Sequence, residues 1–496
     1  MRQRLINKAE PEQTLLKGSL LSKNTIVEEE ISLQSLLFDT TISKEDWLEG
    51  LKSHSKTLTN LLLNDQINEF NDYLSSQFGS PTFQEINVDQ LEAKTAPSAK
   101  KSGLLNMNYR SALQDLLQTA ILIEHSTIPP YLTALYSIKD GKNVLASQII
   151  RSVAVEEMLH MIMVCNVMNA VNIIPSVNKP QNYPTYPMKL PMNVDFFVGL
   201  ETFSTNSIAT FIAIESPSSA FVKAPVYDHI EENRSFLKSS SVQESNHWTL
   251  ENMKTFIMEN VHTIGEYYDV LFFYIVVFQI IAYYKANGKL PQTFEELNTG
   301  GIFTGNPAKQ IRPEQYYGSG GKLHAVEALS GVIAVFQEIK GQGEGADESI
   351  FDVDPSQFEE GMELAHYFRF KEIFHEHYYL DGKYEPFMDE NGMMPVTTPP
   401  NGKALPVEWS AAYPMKPNPK IADYQSNPPL YAQGKAFNQT YKNLLDAIQA
   451  AVEGDAKELE KSIMYMYALK EQAVGLMSQP LDSQYNAGPT FEYPSN

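Results

Sequence analysis

The stretch VAVEEMLHMIMVC, residues 153–165, combines a strongly apolar pattern with three ionisable side chains. Glu156, Glu157 and His160 are its only residues that are not apolar. In a helix, Glu157 and His160 lie about 60° apart on one face, because they are three positions apart. A buried charge is costly unless it is paired or bound to a metal ion. The stretch therefore predicts a buried helix whose Glu-x-x-His pair has a partner or a metal ion.

A second buried carboxylate is predicted on the preceding helix, SALQDLLQTAILIEHSTIPPYL (111–132). Glu124 lies in the middle of the apolar stripe of that segment. It precedes Glu157 by 33 positions, and the turn-like DGKN (140–143) lies between the two. We predict an antiparallel helical hairpin that brings both glutamates to the same height.

The neighbours of these residues give further expectations. His125 points about 100° away from Glu124 on a helix and is expected to form an interhelical hydrogen bond. Pro129 and Pro130 are expected to kink or end the first helix one turn past Glu124. Glu156 points away from Glu157 and is expected to pair with Arg151 or with a neighbouring helix.

The Glu-x-x-His spacing returns in EEGMELAHYFRFKEIFHEHYY (359–379), where Glu363 precedes His366 by three positions. This segment is expected to belong to one helix that runs from about residue 355 to 379. Glu372 and His375 repeat the spacing, but the face that they share looks solvated.

The first half of the chain suggests that another glutamate lies on the helix before this pair. In LHAVEALSGVIAVFQEIKGQGEGA (323–346), Glu338 shares a face with small and apolar residues. Glu344, in the GQGEG break, is the other candidate.

The chain thus offers a glutamate followed by Glu-x-x-His, twice, which is the ligand set of a ferritin-like dinuclear carboxylate centre in a four-helix bundle. Oxygen and nitrogen ligands without cysteine favour iron or manganese over structural zinc. We therefore expect two iron ions, or manganese ions. The candidate metal ligands are Glu124, Glu157, His160, Glu338, Glu344, Glu363 and His366.

Sparse strand patterns and repeated helical periodicity predict a mainly α protein. Its predicted parts are an N-terminal helical extension (1–100), a ferritin-like bundle (105–380), and a loop-rich segment with a C-terminal helical hairpin packed on the bundle (381–496). The hairpin is expected to turn at Gly454, and long loop insertions are expected at 175–245 and 380–432.

Composition excludes several classes of function. The chain has 496 residues and a net charge of −22, which disfavours binding to nucleic acid. Its one cysteine, Cys165, excludes an intrachain disulfide and a cysteine-rich metal site. The most apolar run, VLFFYIVVFQIIAYY (270–284), is short for a membrane span and is predicted to be a buried core helix. The N-terminus lacks the pattern of a signal peptide, so a cytoplasmic protein without a membrane partner is expected.

Several segments together resemble a known family. The chain from about residue 105 to its end resembles the ferritin-like domain family associated with iminophenyl-pyruvate dimer synthases, which includes enzymes and enzyme-like domains of bisindole pigment biosynthesis. The segments are IEHSTIPPYLTALYSI (123–138), VAVEEMLHM (153–161), IGEYY (264–268), QGEGA (342–346), AHYFRFKEI (365–373) and AGPTFEY (487–493). The resemblance implies as metal ligands Glu124, Glu157, His160, Glu344, Glu363 and His366. It therefore favours Glu344 where helical periodicity favours Glu338.

The leading hypothesis is a dinuclear metal oxidoreductase that acts with O2 or peroxide on a small organic molecule. The resemblance implies an amino-acid-derived imine or a 2-oxo acid as substrate. The loops at 175–245 and 380–432 would shape its pocket. One alternative is a metal-binding or ferroxidase-type protein without an organic substrate. Another is a metal-free interaction module, because the family usually has a glutamate where this chain has Gly341. A homo-oligomer is compatible with all three hypotheses, and the patterns identify no catalytic side chain.

Overall fold

The computed structural model describes residues 108–217, 261–291, 293–316, 320–344, 350–355, 362–379 and 398–494, together with parts of 50–78 and of 254–260. Most of the predicted N-terminal extension (1–100) therefore lies outside the described residues, as do large parts of the two predicted long loops. The helices are α1 (Ile67–Phe78), α2 (Tyr109–Ser137), α3 (Val144–Ala170), α4 (Thr205–Ile214), α5 (Ile264–Asn287), α6 (Phe294–Asn298), α7 (Leu329–Glu344), α8 (His366–His375), α9 (Pro428–Val452) and α10 (Leu459–Met477). The strands β1 (Phe351–Pro355) and β2 (Met362–Leu364) pair antiparallel.

The predicted hairpin is present: α2 and α3 pack along each other and are joined by a short turn at 138–143. Gly141 has a φ of +74° in this turn, which is easily adopted only by a residue without a Cβ. Most side chains of α3 are buried on every side, as expected for a helix that is apolar all round. The pair forms the centre of the core.

The prediction that the prolines could end α2 is wrong, because the helix continues through Pro129 and Pro130 to Ser137. Pro130 has no N–H to donate to the carbonyl of Ser126. The hydroxyl of Tyr186 donates to that carbonyl instead, at 2.9 Å. The helix therefore persists because a side chain from the following loop satisfies a carbonyl that the proline leaves free.

The predicted core helix is α5, which packs against α2 and α7. The side chain of Thr263 caps its first turn by accepting from the backbone N–H of Glu266 at 3.1 Å, and Gly288 ends it with a φ of 67°. By length and composition, α3 and α5 could each cross a membrane. However, 89% and 83% of their most apolar windows are buried inside the protein, as in core helices.

One predicted helix begins later than expected. Residues 351–355 and 362–364 form the β1–β2 pair, and α8 begins only at His366. Pro355 and Gly361 both disfavour a helix interior, and Ala365 is extended, with a ψ of 156°. Glu363 is therefore on a strand, and the Glu363–His366 spacing is not that of one helical face.

The C-terminal hairpin is also present, with α9 and α10 separated by a turn in which Gly454 has a φ of +125°. It packs on the bundle through buried amides. Asn169 on α3 donates to the carbonyl of Val452 at 2.8 Å. Gln449 on α9 donates to the carbonyl of Pro175 at 2.9 Å and accepts from the N–H of Val177 at 2.8 Å.

Candidate metal centre

Four elements converge on one buried cluster of carboxylates and imidazoles. Glu124 lies in α2, and Glu157 and His160 lie in α3. Glu215 directly follows α4, and His366 is the first residue of α8. All five side chains are 5% exposed or less. Such a concentration of buried ionisable groups requires mutual pairing or a bound cation.

The first group in this cluster comes entirely from the α2–α3 hairpin. Nδ1 of His160 lies 3.4 Å from Oε2 of Glu124 and 3.5 Å from Oε1 of Glu157. The hairpin thus brings Glu124, Glu157 and His160 together as the sequence predicted.

The second group adds residues from distant parts of the chain. Nδ1 of His366 lies 3.0 Å from Oε1 of Glu157 and 3.4 Å from Oε2 of Glu215. This nitrogen is buried, and it has no hydrogen-bond partner within the described part of the chain. The rings of His160 and His366 are stacked, with centroids 5.7 Å apart.

Each group could hold a metal ion, because one ligand atom from each of its three residues lies within 4.8 Å of the others. Glu157 belongs to both groups. Two neighbouring positions that share a carboxylate are the arrangement expected of a dinuclear centre.

Hydroxyl groups hold the three carboxylates in place. Tyr268 donates to Glu124, and Tyr131 donates to Glu215. Thr127 donates to Oε2 of Glu157 at 2.9 Å. Burial, and then the neighbouring carboxylates, raise the pKa of both tyrosines well above its usual value, so they remain protonated donors.

The electrostatics of the metal-free cluster favour protonated histidines. Burial alone would lower the pKa of His160, but Glu124 and Glu157 raise it to about 9. Burial likewise opposes a high pKa for His366, yet Glu215 and the other carboxylates raise it well above the usual value. Burial, and then Glu215, raise the pKa of Glu157 to about 7. A metal ion that enters the cluster would displace protons from these groups.

The outward nitrogens of the two imidazoles have different partners. Nε2 of His160 lies 2.7 Å from Oε1 of Gln342, in α7. Nε2 of His366 lies 2.7 Å from Oε2 of Glu156, which also forms a two-pronged ion pair with Arg369. Although burial acts to raise it, Arg369 and His366 lower the pKa of Glu156 to about 2. Glu156 therefore pairs with a neighbouring helix, one of its two expected partners.

The structure places two candidate ligands away from the cluster. Glu338 accepts from the backbone N–H of Lys322 at 2.6 Å, and its other oxygen lies 3.6 Å from Nε2 of His324. Glu363 lies 3.3 Å from Nη1 of Arg369. Both have partners in the surroundings of the cluster rather than in either group that could hold a metal ion.

The other candidates from the sequence fall elsewhere. The side chain of Glu344, the last residue of α7, lies outside the described residues. Glu372 accepts from the backbone N–H of Tyr379 at 2.7 Å. The expectation that its face is solvated is wrong for this residue, because Glu372 is only 5% exposed. His125 forms the expected interhelical hydrogen bond, with Tyr441 of α9.

The sequence analysis does not identify Glu215, because it predicts a long loop over 175–245. A signal was present: Ser204 precedes the apolar run SIATFIAI (207–214), and Glu215 ends it just before Pro217. Ser204 and Ser207 form a capping box at the start of α4. A capped apolar helix that ends in a single acidic residue indicates that the carboxylate of this residue is buried.

A small cavity adjoins the cluster, with about 20 Å³ available to the centre of a water-sized sphere. This is room for a particle of the size of a water molecule. Apolar side chains from α4, α5 and α7 line it beside the carboxylates, namely Ile214, Ile264 and Ile339.

The comparison with protein families agrees with this architecture. Residues 117–375 match the family described as Ferritin-like. A solved ferritin-like protein from Caulobacter vibrioides is 17% identical, and the alignment covers 76% of this chain and 97% of that chain with a TM-score of 0.45. No curated protein matches the sequence. Because the family match spans more than half of its residues, this chain belongs to the Ferritin-like family.

Proposed function

We propose that this chain binds two iron ions, or two manganese ions, at Glu124, Glu157, His160, Glu215 and His366. The observation that carries the proposal is the buried Nδ1 of His366, which lacks a hydrogen-bond partner among the described residues and lies beside Glu157 and Glu215. Such a nitrogen is costly to bury unless a proton or a cation joins it to the carboxylates. A metal ion would bond to all three.

The donor set fits these metals. It consists of carboxylate oxygens and imidazole nitrogens, which suit iron and manganese. The three carboxylates also offset most of the charge of two divalent ions. Hydrogen bonds from Thr127, Tyr131 and Tyr268 would hold those carboxylates in position when the ions enter.

We further propose an oxidoreductase that uses O2 or peroxide and acts on a small organic molecule. The bound metal would supply the redox chemistry. The protein would position the ligands and exclude bulk water. The resemblance to the iminophenyl-pyruvate dimer synthase family supports an amino-acid-derived imine or a 2-oxo acid as substrate. The net charge of −22 supports a small-molecule partner rather than nucleic acid, and we propose a cytoplasmic location and a homo-oligomer as working hypotheses.

A second candidate function, oxidation of Fe(II) without an organic substrate, is favoured by the size of the cavity. About 20 Å³ suits an ion or dioxygen, whereas pockets for organic ligands span several hundred Å³. Ser216 and Gly343 both line the cavity, and residues 218–253 and 345–349, close to them in sequence, lie outside the ranges given for the described residues.

Metal loading tests the proposal. The purified chain is loaded with Fe(II) without oxygen, passed through a desalting column and assayed for metal. About two ions per chain are expected, together with a change in the visible spectrum when O2 is admitted. Oxidation of an added 2-oxo acid or imine would then favour the first function, and turnover of Fe(II) alone would favour the second. A chain that retains neither iron nor manganese would overturn both and leave the metal-free module.

A further inference from the structure

The two candidate metal positions have the same kinds of ligand. Each has a histidine and shares Glu157. Each has one further carboxylate, Glu124 or Glu215, that accepts from a tyrosine hydroxyl. They differ in the group that contacts the outward nitrogen of each imidazole.

The partner of His160 is neutral. Oε1 of Gln342 lies 2.7 Å from Nε2 of the ring. The amide nitrogen of Gln342 donates to the carbonyl of Gly320 at 3.3 Å and to Oε1 of Glu338 at 3.4 Å. The acceptor is therefore an uncharged amide oxygen.

The partner of His366 is a firmly anchored carboxylate. Arg369 donates from Nη1 to Oε1 of Glu156 at 2.9 Å and from Nη2 to Oε2 at 2.7 Å. Its Nε donates to the carbonyl of Leu364, and Nη1 also donates to Ser152 at 3.1 Å. The guanidinium fork thus fixes both oxygens of Glu156 and prevents that carboxylate from turning toward the metal positions.

We propose that the two metal positions are inequivalent, and that Glu156 and Arg369 make the position at Glu157, Glu215 and His366 the one that fills first. This inference rests on the proposed metal centre. A carboxylate that accepts the outer N–H of a histidine ligand increases the basicity of the ring, and an amide oxygen does so less. Glu156 and Arg369 are positioning residues, since they act through His366.

The substitution Glu156→Gln tests the inequivalence of the two positions. In this variant an amide oxygen would accept from the outward nitrogen of each imidazole. The probe is Co(II), added stepwise to the metal-free full-length chain and followed by calorimetry and by its visible absorption bands. Wild type should bind two ions in two resolved steps. Glu156→Gln should weaken the tighter step about 10- to 100-fold, so that the two steps converge, and should alter the bands of the first ion only.

Two variants serve as controls. Gln342→Leu removes the acceptor from His160 and should weaken only the second step. Glu363→Gln changes another carboxylate that contacts Arg369, but Glu363 has no described contact with His366. Both steps of Co(II) binding should therefore be unchanged in this variant. If Glu156→Gln lowers the melting temperature of the metal-free protein, the double variant Glu156→Gln with Arg369→Gln removes both charges of the ion pair and should show the same convergence.

The outcomes are distinct. If wild type binds two ions in one unresolved step, or if Glu156→Gln weakens both steps equally or neither, the inequivalence is overturned while the metal centre stands. If wild type binds neither Co(II) nor Fe(II), the proposed function itself fails.

Discussion

Oε1 of Glu157 lies 3.0 Å from Nδ1 of His366, and the same oxygen lies 3.5 Å from Nδ1 of His160. One carboxylate oxygen thus faces both imidazoles, one from its own helix and one from α8. The shared carboxylate joins the two groups into one buried cluster.

This sharing predicts unequal losses of metal. Glu157→Ala should abolish retention of both ions, because it removes a ligand from each position. Glu215→Ala should remove only the ion at His366 and leave about one ion per chain. Elemental analysis after anaerobic loading measures both. Glu338→Gln, which lies outside both groups, is the matched control and should retain about two ions. If Glu157→Ala and Glu215→Ala lose the same number of metal ions, the prediction that Glu157 serves both positions is wrong.

Bound metal should stabilise the fold, because the ligands come together only in the folded state. At a free metal concentration of 100 times Kd, linkage stabilises a protein by about 2.7 kcal/mol. The melting temperature should therefore rise on loading and fall again with a chelator. In Glu157→Ala the rise should vanish. A melting temperature that is indifferent to metal in wild type would argue against a site formed by folding.

His125 predicts a loss of stability in acid. Burial lowers the pKa of its imidazole to about 4, against 6.5 in the unfolded chain, although its bond with the Asn182 carbonyl opposes the shift. The pKa of His125 is lower in the folded protein than in the unfolded chain. Its contribution to the free energy of unfolding is therefore fully present above pH 6.5 and is lost as the pH falls toward 4. The shift corresponds to about 3 kcal/mol. Urea unfolding of the metal-free protein between pH 7 and 4 should show a steeper decline in wild type than in His125→Gln. Parallel curves would contradict the prediction.

Tyr186 should contribute stability without affecting the metal. Tyr186→Phe removes the hydroxyl that donates to the Ser126 carbonyl left free by Pro130. A buried acceptor without a partner costs about 1–3 kcal/mol, which urea unfolding can measure. Tyr136→Phe is a suitable comparison. Tyr136 lies on α2, as Ser126 does, but its hydroxyl has no described hydrogen bond to the Ser126 carbonyl. Metal retention should be unchanged, and a loss of metal in Tyr186→Phe would show that the loop also positions the centre.

Helical periodicity is sufficient to predict the first group of candidate ligands. Glu124, Glu157 and His160 lie on two long helices joined by a short turn. Their spacing along the sequence therefore predicts that their side chains lie close together. The matched pattern in the second half also indicated the family fold.

The same reasoning could not locate the rest of the centre. Glu363 and His366 have helical spacing, but a strand ends between them, and local sequence does not fix where a helix begins to within three residues. Glu215 comes from a short helix whose proximity to α8 is set only by tertiary packing. Glu338 lies on the expected helix, but its carboxylate bonds to the segment at 322–324 instead.

The positions of the candidate ligands along the chain have a consequence for the order in which the proposed centre is built. Glu124, Glu157 and His160 require only the pairing of two consecutive helices, a contact of low sequence separation that can form early and quickly. Glu215 and His366 meet only after the intervening chain, including α5 and α7, has closed over the hairpin. During synthesis, half of the centre can therefore exist before the residues that complete it have been translated. Acquisition of the full metal complement would then mark the last stage of maturation.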